Sequence, residues 1–568
     1  MPLQPKSYCH RGGDEPLIGA TIAEHFADIV TRFGEHEAVV SVPQQKRLSY
    51  NDLSAAVEQL ARGLLAIGFC KGDRIGVWST NNIEWLMIQM ATARIGAILV
   101  NINPAYRLRE LAYALQRSEV QGIFTIPAFR SSDYVSMLAE LIPELTQSDS
   151  DQLHNAEFPF LRKVIVYDPM NAAHTRRPHP GFMTWPEVIQ AADSVSDDRL
   201  EETTASLDRD DPINIQYTSG TTGFPKAVVL SHHNIHNNAW SSARAMHFTQ
   251  HDRLCVAVPF YHCFGMVLAN LLCFSVGACV VIPSEHFEPL AALQTIAAER
   301  CTAIHGVPTM FIAELEHAEF SKHDMSSLRT GIMAGAPCPP TLMQRVMQEM
   351  HCREILIGYG ETEASPLTHL TTRDDNMERR TETVGRNLPH QEVKIVSTET
   401  NATLPLGEIG EICFRGYHIM HGYYAEPDKT AETIDNSGWL YSGDLGTMDA
   451  DGYVRITGRR KEMIIRGGEN IYPKEIEAFL FTHPKISQVA VFGVPDEYYG
   501  EEIMAWVQLH QNMQCTEDEI RAYCKDQIAH YKIPRYIWFV DEFPMTVTGK
   551  LQKFRMRETA IEKLELQA

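Results

Sequence analysis

Residues 217–228 read YTSGTTGFPKAV, and they place hydroxyl groups, glycines and one lysine within a short loop. Gly220 and Gly223 allow the backbone to turn sharply, because neither residue carries a side chain. The hydroxyl groups and the exposed backbone N–H groups can donate hydrogen bonds to an anion, and Lys226 adds a positive charge. The stretch therefore predicts a loop that wraps phosphate groups.

Strand-like runs flank this loop on both sides, INIQY at residues 213–217 and AVVLSH at residues 227–232. The loop is therefore expected between two strands. A Walker-type phosphate loop instead leads into a helix, and serine or threonine directly follows its lysine. Here Ala227 follows Lys226, so the Walker interpretation is excluded. A plain polar hairpin loop is the structural alternative.

Length and composition indicate a globular protein with more than one domain. The chain has 568 residues, of which 44% are hydrophobic and 21% are charged, and one core rarely serves a chain of this length. The net charge of −22 argues against nucleic-acid binding, because a polyanion would be repelled. Twelve cysteines without a CxxC pair suit a reducing compartment, and a cytoplasmic location is expected.

No stretch of the sequence predicts a secretion signal or a membrane span. Residues 1–16 have neither an apolar core nor an arginine-rich amphipathic pattern. Residues 266–282 are uncharged, but this run is short for a span, and Asn270, Ser275 and Gly277 interrupt it. The run predicts a buried helix, a turn at Gly277 and a buried strand. Peripheral membrane contact stays compatible with the sequence.

Along the chain, amphipathic helices alternate with short strands, which predicts α/β architecture with helix-covered sheets. Residues 171–211 are polar and predict surface loop with one short helix near residues 186–192. From about residue 393, short strands and glycine turns predict a small β-barrel-like part. The region after residue 461 predicts a separate, compact α+β unit.

Five further segments are unusual for purely structural sequence. They are VPFYHCFG at 258–265, GAP at 335–337, YGETE at 359–363, LYSGDLG at 440–446 and PMTVTGK at 544–550. With the first loop, these six motifs resemble in order the adenylate-forming superfamily, which includes acyl-CoA synthetases, firefly luciferases and the adenylation domains of peptide synthetases. The resemblance extends from about residue 22 to about residue 557. NINPAYRLREL at 101–111 and IRGGENIYPKEIE at 465–477 are most similar to acyl-CoA synthetases of the medium-chain branch.

The resemblance implies an ATP-dependent fatty acid–CoA ligase with ATP, Mg²⁺ and CoA as its cofactors. A fatty acid, of medium chain length by the subgroup, becomes acyl-AMP with release of pyrophosphate, and the CoA thiol then displaces AMP. Two negatively charged reactants must meet, so positive charge and aligned dipoles are expected to dominate catalysis. The expected domains are an N-terminal AMP-binding domain at 1–457, a hinge at 458–461, and a small mobile C-terminal domain at 462–568.

By resemblance, two motifs would bind the phosphates and carry out the first chemical step. The β- and γ-phosphates would contact Thr218, Ser219, Gly220, Thr221, Thr222, Gly223, Phe224, Pro225 and Lys226. Lys550 would bridge the substrate carboxylate and the α-phosphate, since a long flexible ammonium can follow charge as it moves. Reversible acetylation of Lys550 would remove that charge. A solvated surface lysine is the structural alternative.

The nucleotide would lie among the remaining motifs. Tyr359 would pack on adenine, with Gly335, Ala336 and Pro337 on the other side. Gly360 and Glu361 are also expected to bind the nucleotide. Asp444 would accept hydrogen bonds from the ribose hydroxyls, although a turn-capping aspartate is the alternative. Arg459 would contact ribose or phosphate, and Thr362 would bind the α-phosphate in the catalytic step. Glu363 would bind Mg²⁺, a hard cation that prefers carboxylate oxygen.

The acyl end and the hinge complete the implied site. His262 would act at the acyl end beside Phe264, and a satisfied core histidine is the alternative. Val307, Met333 and Leu356 are candidates for lining the acyl pocket, although ordinary core packing explains them equally well.

Lys461 occupies the hinge position of the family, where the C-terminal domain would swing between two poses. One pose brings Lys550 to the adenylate. The other brings residues 466–470 to the thiol tunnel, where Gly467 and Gly468 let the pantetheine arm pass close to the backbone.

Three alternatives stay open. A carrier protein could replace CoA as the acceptor, and the acid could be short and branched, aromatic or sulfur-containing. A non-enzymatic binding protein on a degenerate scaffold is the third alternative, against which the intact Lys550, Glu363 and Asp444 argue. A homodimer is also compatible with the sequence.

Overall fold

The structure is a computed structural model that describes residues 5–149, 153–171, 176–218, 225–336, 338–466, 469–525, 527–545 and 551–566. Four sheets and one short ribbon organise these described residues. The ribbon pairs Ala128–Phe129 with Ser132–Asp133. Helices cover the larger sheets, so the predicted α/β fold is confirmed.

An eight-stranded sheet carries the lysine of the first motif. Its first six strands run parallel and its last two pair antiparallel. The spatial order is Phe182–Thr184, Lys163–Val166, Gly122–Thr125, Arg74–Trp78, Ile98–Ile102, Pro212–Thr218, Lys226–Ser231 and Gly422–Tyr423. Thr218 pairs directly with Lys226, so the loop of the first motif joins two antiparallel strands, as predicted.

A nine-stranded sheet carries Gly335 and Ala336, and the motif at 359–363, at the ends of its strands. Its six central strands run parallel, and antiparallel strands flank them on both sides. The spatial order is Arg386–Asn387, Leu367–Leu370, Glu354–Gly360, Thr330–Ala334, Ala303–Ile304, Arg253–Cys255, Cys279–Ile282, Glu37–Ser41 and Lys46–Ser49.

A five-stranded antiparallel sheet forms the small β part that the glycine turns predict. Its spatial order is Tyr8–Arg11, Gln391–Val396, Gly410–Gly416, Leu440–Met448 and Val454–Arg459. The last two strands carry Asp444 and Arg459 opposite each other. The aspartate motif therefore lies within a strand pair.

The C-terminal unit has its own sheet and its own two hydrophobic clusters. Its strands are Glu469–Ile471, Ile464–Arg466, Gly500–Leu509, Ile486–Asp496 and Tyr536–Phe539. The helices Pro473–Leu480, Glu517–Cys524 and Lys553–Lys563 accompany this sheet. The predicted α+β character of this region is therefore correct, whereas its mobility stays a prediction.

The remaining helices precede the C-terminal unit in the chain. They are Ile22–Phe33, Tyr50–Ala66, Ile83–Ile95, Leu108–Arg117, Tyr134–Leu141, Trp185–Ala191, Asp197–Ala205, His232–Ala245, Cys263–Gly265, Leu272–Val276, Pro289–Glu299, Pro308–Leu315, Pro340–Glu349, Met377–Glu382 and Pro427–Thr433. A π-helical segment, Met266–Leu271, precedes Leu272–Val276. Gly277 ends that helical run with φ +80°, and Cys279–Ile282 follows as a buried strand, as predicted. Among the described residues, no helix combines the length and the apolarity that a membrane crossing needs.

The polar region at 171–211 contains more structure than the sequence predicts. The expected short helix is Trp185–Ala191, but a strand, Phe182–Thr184, precedes it and a second helix, Asp197–Ala205, follows. The Ser196 side chain accepts the backbone N–H of Arg199 and caps this second helix. Two aspartates in its first turn suit the positive end of the helix dipole. The prediction of loop was wrong here because capping and charge, with little apolar periodicity, define the helix.

Helix His232–Ala245 lies buried between the large sheets although it is rich in polar residues. Asn234 donates to the carbonyl oxygens of Tyr417 and Ile419. Asn238 donates to the carbonyl oxygen of Leu367 and accepts the backbone N–H of the same residue. The buried amides are therefore hydrogen-bonded to backbone groups of distant segments, as buried polar groups require.

We expect Gly331→Ala to destabilise the protein, because an added Cβ would lie 1.9 Å from the backbone oxygen of Ile304. A backbone atom in the neighbouring strand cannot move aside cheaply, so the free energy of unfolding should fall by about 1–3 kcal/mol. The midpoint of thermal unfolding should fall by a few degrees. Gly12→Ala is the matched control, since nothing lies within 4 Å of its added Cβ. Equal midpoints for the two variants would contradict this packing argument.

Candidate functional site

Two motifs follow neighbouring parallel strands of the nine-stranded sheet. Thr330–Ala334 ends just before Gly335, which has φ +85°. Glu354–Gly360 pairs with that strand and ends in the YGETE motif. Ligands of open α/β sheets bind outside the carboxyl ends of such strands. Gly335, Ala336 and Tyr359 therefore lie at an edge that suits a ligand.

Tyr359, Asp444 and Arg459 form one hydrogen-bonded cluster. The Tyr359 hydroxyl donates to Asp444 Oδ2 at 2.7 Å, and Arg459 Nε lies 2.8 Å from Asp444 Oδ1. Burial and the Asp444 carboxylate raise the pKa of Tyr359 well above its usual value, so its hydroxyl stays a donor. These contacts connect Asp444 to the neighbouring strand and to the nine-stranded sheet, so the structure does not support the turn-capping interpretation of its side chain.

Lys226, Tyr423 and Glu363 form a second cluster on the phosphate-loop side. Lys226 Nζ lies 3.3 Å from the Tyr423 hydroxyl oxygen and 4.3 Å from the centre of its ring. The same hydroxyl donates to Glu363 Oε1 at 2.9 Å. Burial lowers the pKa of Lys226, Glu363 opposes this effect, and the charge of Lys461 adds to it. Sequence reasoning missed Tyr423, which strand Gly422–Tyr423 brings beside Lys226–Ser231.

Glu361 lies between the two clusters. Burial raises the pKa of its carboxyl group well above the usual value, and the charges of Glu363 and Asp444 raise it further. Among the described residues, no hydrogen-bond partner meets the buried Oε1 atom of Glu361. Neighbouring carboxylates with an unpartnered oxygen favour a cation, and oxygen is the ligand that Mg²⁺ prefers. The residues present therefore fit a magnesium ion at Glu363, with Glu361 beside it.

Thr362 and His262 meet at the thiol of Cys263. The Cys263 sulfur lies 3.6 Å from Thr362 Oγ1 and 3.7 Å from His262 Nδ1. His262 also caps the short helix Cys263–Gly265, because its Nδ1 accepts the backbone N–H of Phe264 at 3.1 Å. In the neutral ring the proton is then on Nε2. His262 is therefore held in place, and its predicted catalytic role stays a prediction.

A cavity of about 260 Å³ lies beside this motif, and Tyr261 and Val307 are among its lining residues. Val307 therefore fits its predicted position in a pocket wall. Met333 and Leu356 are instead fully packed within hydrophobic clusters, so core packing explains these two residues.

Gly360 is glycine for a steric reason. A Cβ at this position would lie 1.9 Å from the backbone oxygen of Pro366. Any side chain at this position would therefore collide with the backbone of the neighbouring segment. Contact of Gly360 with a nucleotide stays a prediction.

The junction with the C-terminal unit is close to the phosphate side of the site. Lys461 is exposed in the short 3₁₀ helix Arg460–Glu462. Its charge acts on Lys226, as noted above. Burial lowers the pKa of Lys474, the second residue of helix Pro473–Leu480, and the charge of Asp444 opposes that effect. Both lysines therefore bring positive charge from the junction toward the nucleotide edge.

Ten of the predicted site residues lie outside the part of the chain that the structure describes. They are Ser219, Gly220, Thr221, Thr222, Gly223, Phe224, Pro337, Gly467, Gly468 and Lys550. At the two ends of the first motif, Thr218 pairs with Lys226, and the Pro225 carbonyl oxygen accepts the Tyr113 hydroxyl at 3.0 Å.

Comparison with known proteins gives matches along nearly the whole chain. The model of the family described as "AMP-binding enzyme" matches residues 26–424, and that of the "AMP-binding enzyme C-terminal domain" matches residues 475–550. The "Putative acyl-CoA synthetase YngI" of Bacillus subtilis is 46% identical, over 97% of this chain and 99% of that protein. The "Medium-chain acyl-CoA ligase ACSF2, mitochondrial" of Danio rerio is 42% identical, over 100% of this chain and 92% of that protein.

A solved structure agrees with these relatives. The anthranilate CoA ligase AuaEII, solved in complex with anthranoyl-AMP, superposes with a TM-score of 0.84 at 25% identity, over 97% of this chain and 99% of the other. The resemblance that six motifs predict is therefore confirmed, and the chain belongs to the AMP-binding enzyme family.

Proposed function

We propose that this protein is an AMP-forming acid–CoA ligase that activates a medium-chain fatty acid. The observation that carries the proposal is the arrangement of the two clusters about Glu361. Lys226 offers positive charge for phosphates, Glu363 offers oxygen for a metal ion, and Tyr359 and Asp444 offer a ring and an acid for a nucleoside. We infer the acid and the thiol from the names of the relatives, which describe an acyl-CoA synthetase and a medium-chain acyl-CoA ligase.

In the first step, a carboxylate oxygen of the acid attacks the α-phosphorus of ATP. A new oxygen–phosphorus bond forms, the bond from the α-phosphorus to the bridging oxygen breaks, and pyrophosphate leaves with the electron pair. Lys226 would neutralise the departing pyrophosphate, and Lys550 would hold the attacking carboxylate. Positive charge counts most here because the negative charge moves toward the leaving group.

Magnesium would be held at Glu363, where it would neutralise phosphate charge. The hydrogen bond from Tyr423 orients the Glu363 carboxylate, and the unpartnered oxygen of Glu361 offers a second acceptor close by. Thr362 would donate to the α-phosphate from the turn that these acids flank.

In the second step, the CoA thiol loses its proton to solvent, and its sulfur attacks the acyl carbon. The carbon–sulfur bond forms, the carbon–oxygen bond to AMP breaks, and AMP leaves with the electron pair. We assign this step to a second pose of residues 462–568, reached by rotation about residues 458–461. In that pose Gly467 and Gly468 would line the path of the thiol.

The identity of the acyl acceptor depends on the cations of the C-terminal unit. A basic surface patch would bind the nucleotide of CoA. Three candidate cations of the C-terminal unit are already paired, since Arg466 lies 2.7 Å from Glu502, Lys532 lies 2.6 Å from Glu475, and Arg535 lies 2.9 Å from Asp496. A carrier protein as the acceptor therefore stays the second candidate.

A cytoplasmic location is our proposal because all twelve cysteines are free, which suits a reducing compartment. The vertebrate relatives carry the word mitochondrial in their names. A homodimer and peripheral membrane contact remain part of the hypothesis.

We expect Lys550→Ala to lower acyl-AMP formation by about a hundredfold or more, because a preorganised charge at the reacting oxygens is lost. Thioester formation from supplied acyl-AMP should continue. The two half-reactions are measured separately, as pyrophosphate exchange and as CoA thioester release. Lys322→Ala is the control, because that side chain is 66% exposed. Equal loss of both half-reactions would refute the assignment, and acetylation of Lys550 should reproduce the effect of the variant.

Tyr359→Phe keeps the ring but removes the hydroxyl that donates to Asp444. The loss of a hydrogen bond to a buried charge costs about 1–3 kcal/mol, so the KM for ATP in pyrophosphate exchange should rise about tenfold. Tyr498→Phe makes the same chemical change at a residue that is 85% exposed, and should leave this KM unchanged. An unchanged KM in Tyr359→Phe would show that this cluster does not organise the nucleotide site.

Lys461→Pro should retain acyl-AMP formation and lose at least about tenfold in thioester formation. Proline fixes φ at the position that would rotate between the two poses. Lys461→Ala removes the same ammonium but leaves φ free, and should retain thioester formation. Single-turnover assays of each half-reaction make the comparison. Normal thioester formation by the proline variant would place the hinge elsewhere.

A further inference from the structure

Tyr423 connects two groups of opposite charge in the proposed site. Its hydroxyl oxygen lies 3.3 Å from Lys226 Nζ and 2.9 Å from Glu363 Oε1. An ammonium group only donates and a carboxylate only accepts, so the hydroxyl accepts from Lys226 and donates to Glu363. One side chain therefore bridges the lysine expected at the phosphates and the glutamate expected at the metal ion.

The bridge stands where a direct ion pair would otherwise form. In the part of the chain that the structure describes, no carboxylate oxygen lies within 4.0 Å of Lys226 Nζ. Burial lowers the pKa of Lys226, and the charge of Glu363 is close enough to oppose that effect. Opposite charges attract more strongly when they are partly buried, so a lysine and a glutamate this close would pair if no other group satisfied them. The Tyr423 hydroxyl is the group that contacts both.

Backbone hydrogen bonds hold these residues at this spacing. Strand Gly422–Tyr423 pairs with strand Lys226–Ser231, which begins at the lysine itself. The Glu363 carbonyl oxygen accepts the backbone N–H of Met420 at 2.9 Å, close to Tyr423 in the chain. Tyr423 is only 6% exposed, so its side chain is packed in place. The position of its hydroxyl is therefore set by the fold.

A direct pair would make both charged groups less available to ligands. An ammonium group has three donors, and among the described residues Lys226 uses one of them, on Tyr423. The other two can bind phosphate oxygens as long as the ammonium is not committed to a carboxylate. Glu363 in turn keeps its negative charge for a cation, because a hydroxyl donor, unlike an ammonium, brings no positive charge of its own.

We propose that Tyr423 is a positioning residue of the reaction, whose hydroxyl keeps Lys226 and Glu363 from pairing, so that the lysine binds pyrophosphate and the glutamate binds the metal ion. The ring supports the same arrangement, since Lys226 Nζ lies 4.3 Å from its centre and the face of an aromatic ring attracts a cation. The inference rests on the proposed function and assigns a further residue role in the same site.

The test measures the binding of pyrophosphate alone to the full chain in buffer that contains EDTA, by isothermal titration calorimetry. Tyr423→Phe keeps the ring and removes the hydroxyl, so Lys226 and Glu363 should pair directly and the Kd for pyrophosphate should rise about tenfold. Tyr424→Phe is the matched control, because the Tyr424 hydroxyl donates to Glu119 at 2.9 Å instead, and it should leave this Kd unchanged. An unchanged Kd in Tyr423→Phe would overturn the inference.

A double variant separates this role from a merely structural one. Glu363→Gln keeps the shape of the side chain but removes the charge that would capture the ammonium of Lys226. The tenfold effect of Tyr423→Phe on the Kd should therefore shrink to about twofold or less when residue 363 is already glutamine, because the two changes act on one interaction. A loosened fold would instead weaken binding equally in both backgrounds, and that result would overturn the inference.

Metal binding gives a second readout, with Mn²⁺ in place of Mg²⁺ and its electron paramagnetic resonance signal as the probe. Tyr423→Phe should weaken Mn²⁺ binding by about the same factor as pyrophosphate binding, because each ligand must break the same new ion pair. Mn²⁺ binding that equals that of the unmodified protein would contradict the proposal. Thermal unfolding checks that each variant is folded, and the Mn²⁺ and pyrophosphate data for Tyr423→Phe stand as a test if the double variant is not.

ATP–pyrophosphate exchange by the unmodified protein tests the proposed function separately. Lack of exchange with every acid would overturn the proposed function, and the inference with it. Exchange together with an unchanged Kd for pyrophosphate in Tyr423→Phe would overturn the inference alone and leave the ligase assignment intact.

Discussion

The amide groups of helix His232–Ala245 fix the relative positions of the three sheets that build the site. The helix starts directly after the strand that carries Lys226. Asn234 holds the backbone at Tyr417 and Ile419, a few residues before Tyr423. Asn238 holds Leu367 by two hydrogen bonds, a few residues after Glu363. Loss of one such amide would leave buried backbone groups unpaired, at about 1–3 kcal/mol for each.

Charge is distributed unevenly about the site that this helix organises. Glu361, Glu363 and Asp444 place carboxylates on one side, within a chain whose net charge is −22. Two of the opposing cations, Lys461 and Lys474, come from the junction with the C-terminal unit. Rotation of that unit would therefore change the electrostatic potential at the nucleotide, and not only the identity of the nearest catalytic group.

The sequence predicted the parts of the site that depend on local chemistry. The hairpin around the first loop, the turn after Ala334 and the acid-rich turn after Tyr359 follow from glycine, hydroxyl and carboxylate side chains close together in the chain. Contacts between distant segments were not predictable in this way. Tyr423 reaches Lys226 and Glu363 through a two-residue strand, which has no periodicity to read.

Two other differences between the sequence predictions and the structure also arise from features without a clear local pattern in the sequence. Helix Asp197–Ala205 depends on a cap and on helix-dipole charges, with only Leu200 and Thr204 buried. Met333 and Leu356 were candidates for a pocket wall, but strand pairing directs their side chains into packed hydrophobic clusters. An apolar residue within a strand is compatible with either a pocket wall or a packed core, and the register of the sheet decides between them.

Asn81 connects two segments that line the cavity near His262, since its backbone N–H donates to the carbonyl oxygen of Glu285 and its side chain accepts the backbone N–H of Phe260. Asn81 stands just before helix Ile83–Ile95, which is buried on nearly all sides and is capped by Asn82. A helix packed in this way cannot tilt outward without opening voids elsewhere in a close-packed interior. One methylene too many would force overpacking at about 1–3 kcal/mol. An acyl chain bound in this cavity would therefore meet a rigid wall, and activity should fall steeply above one chain length.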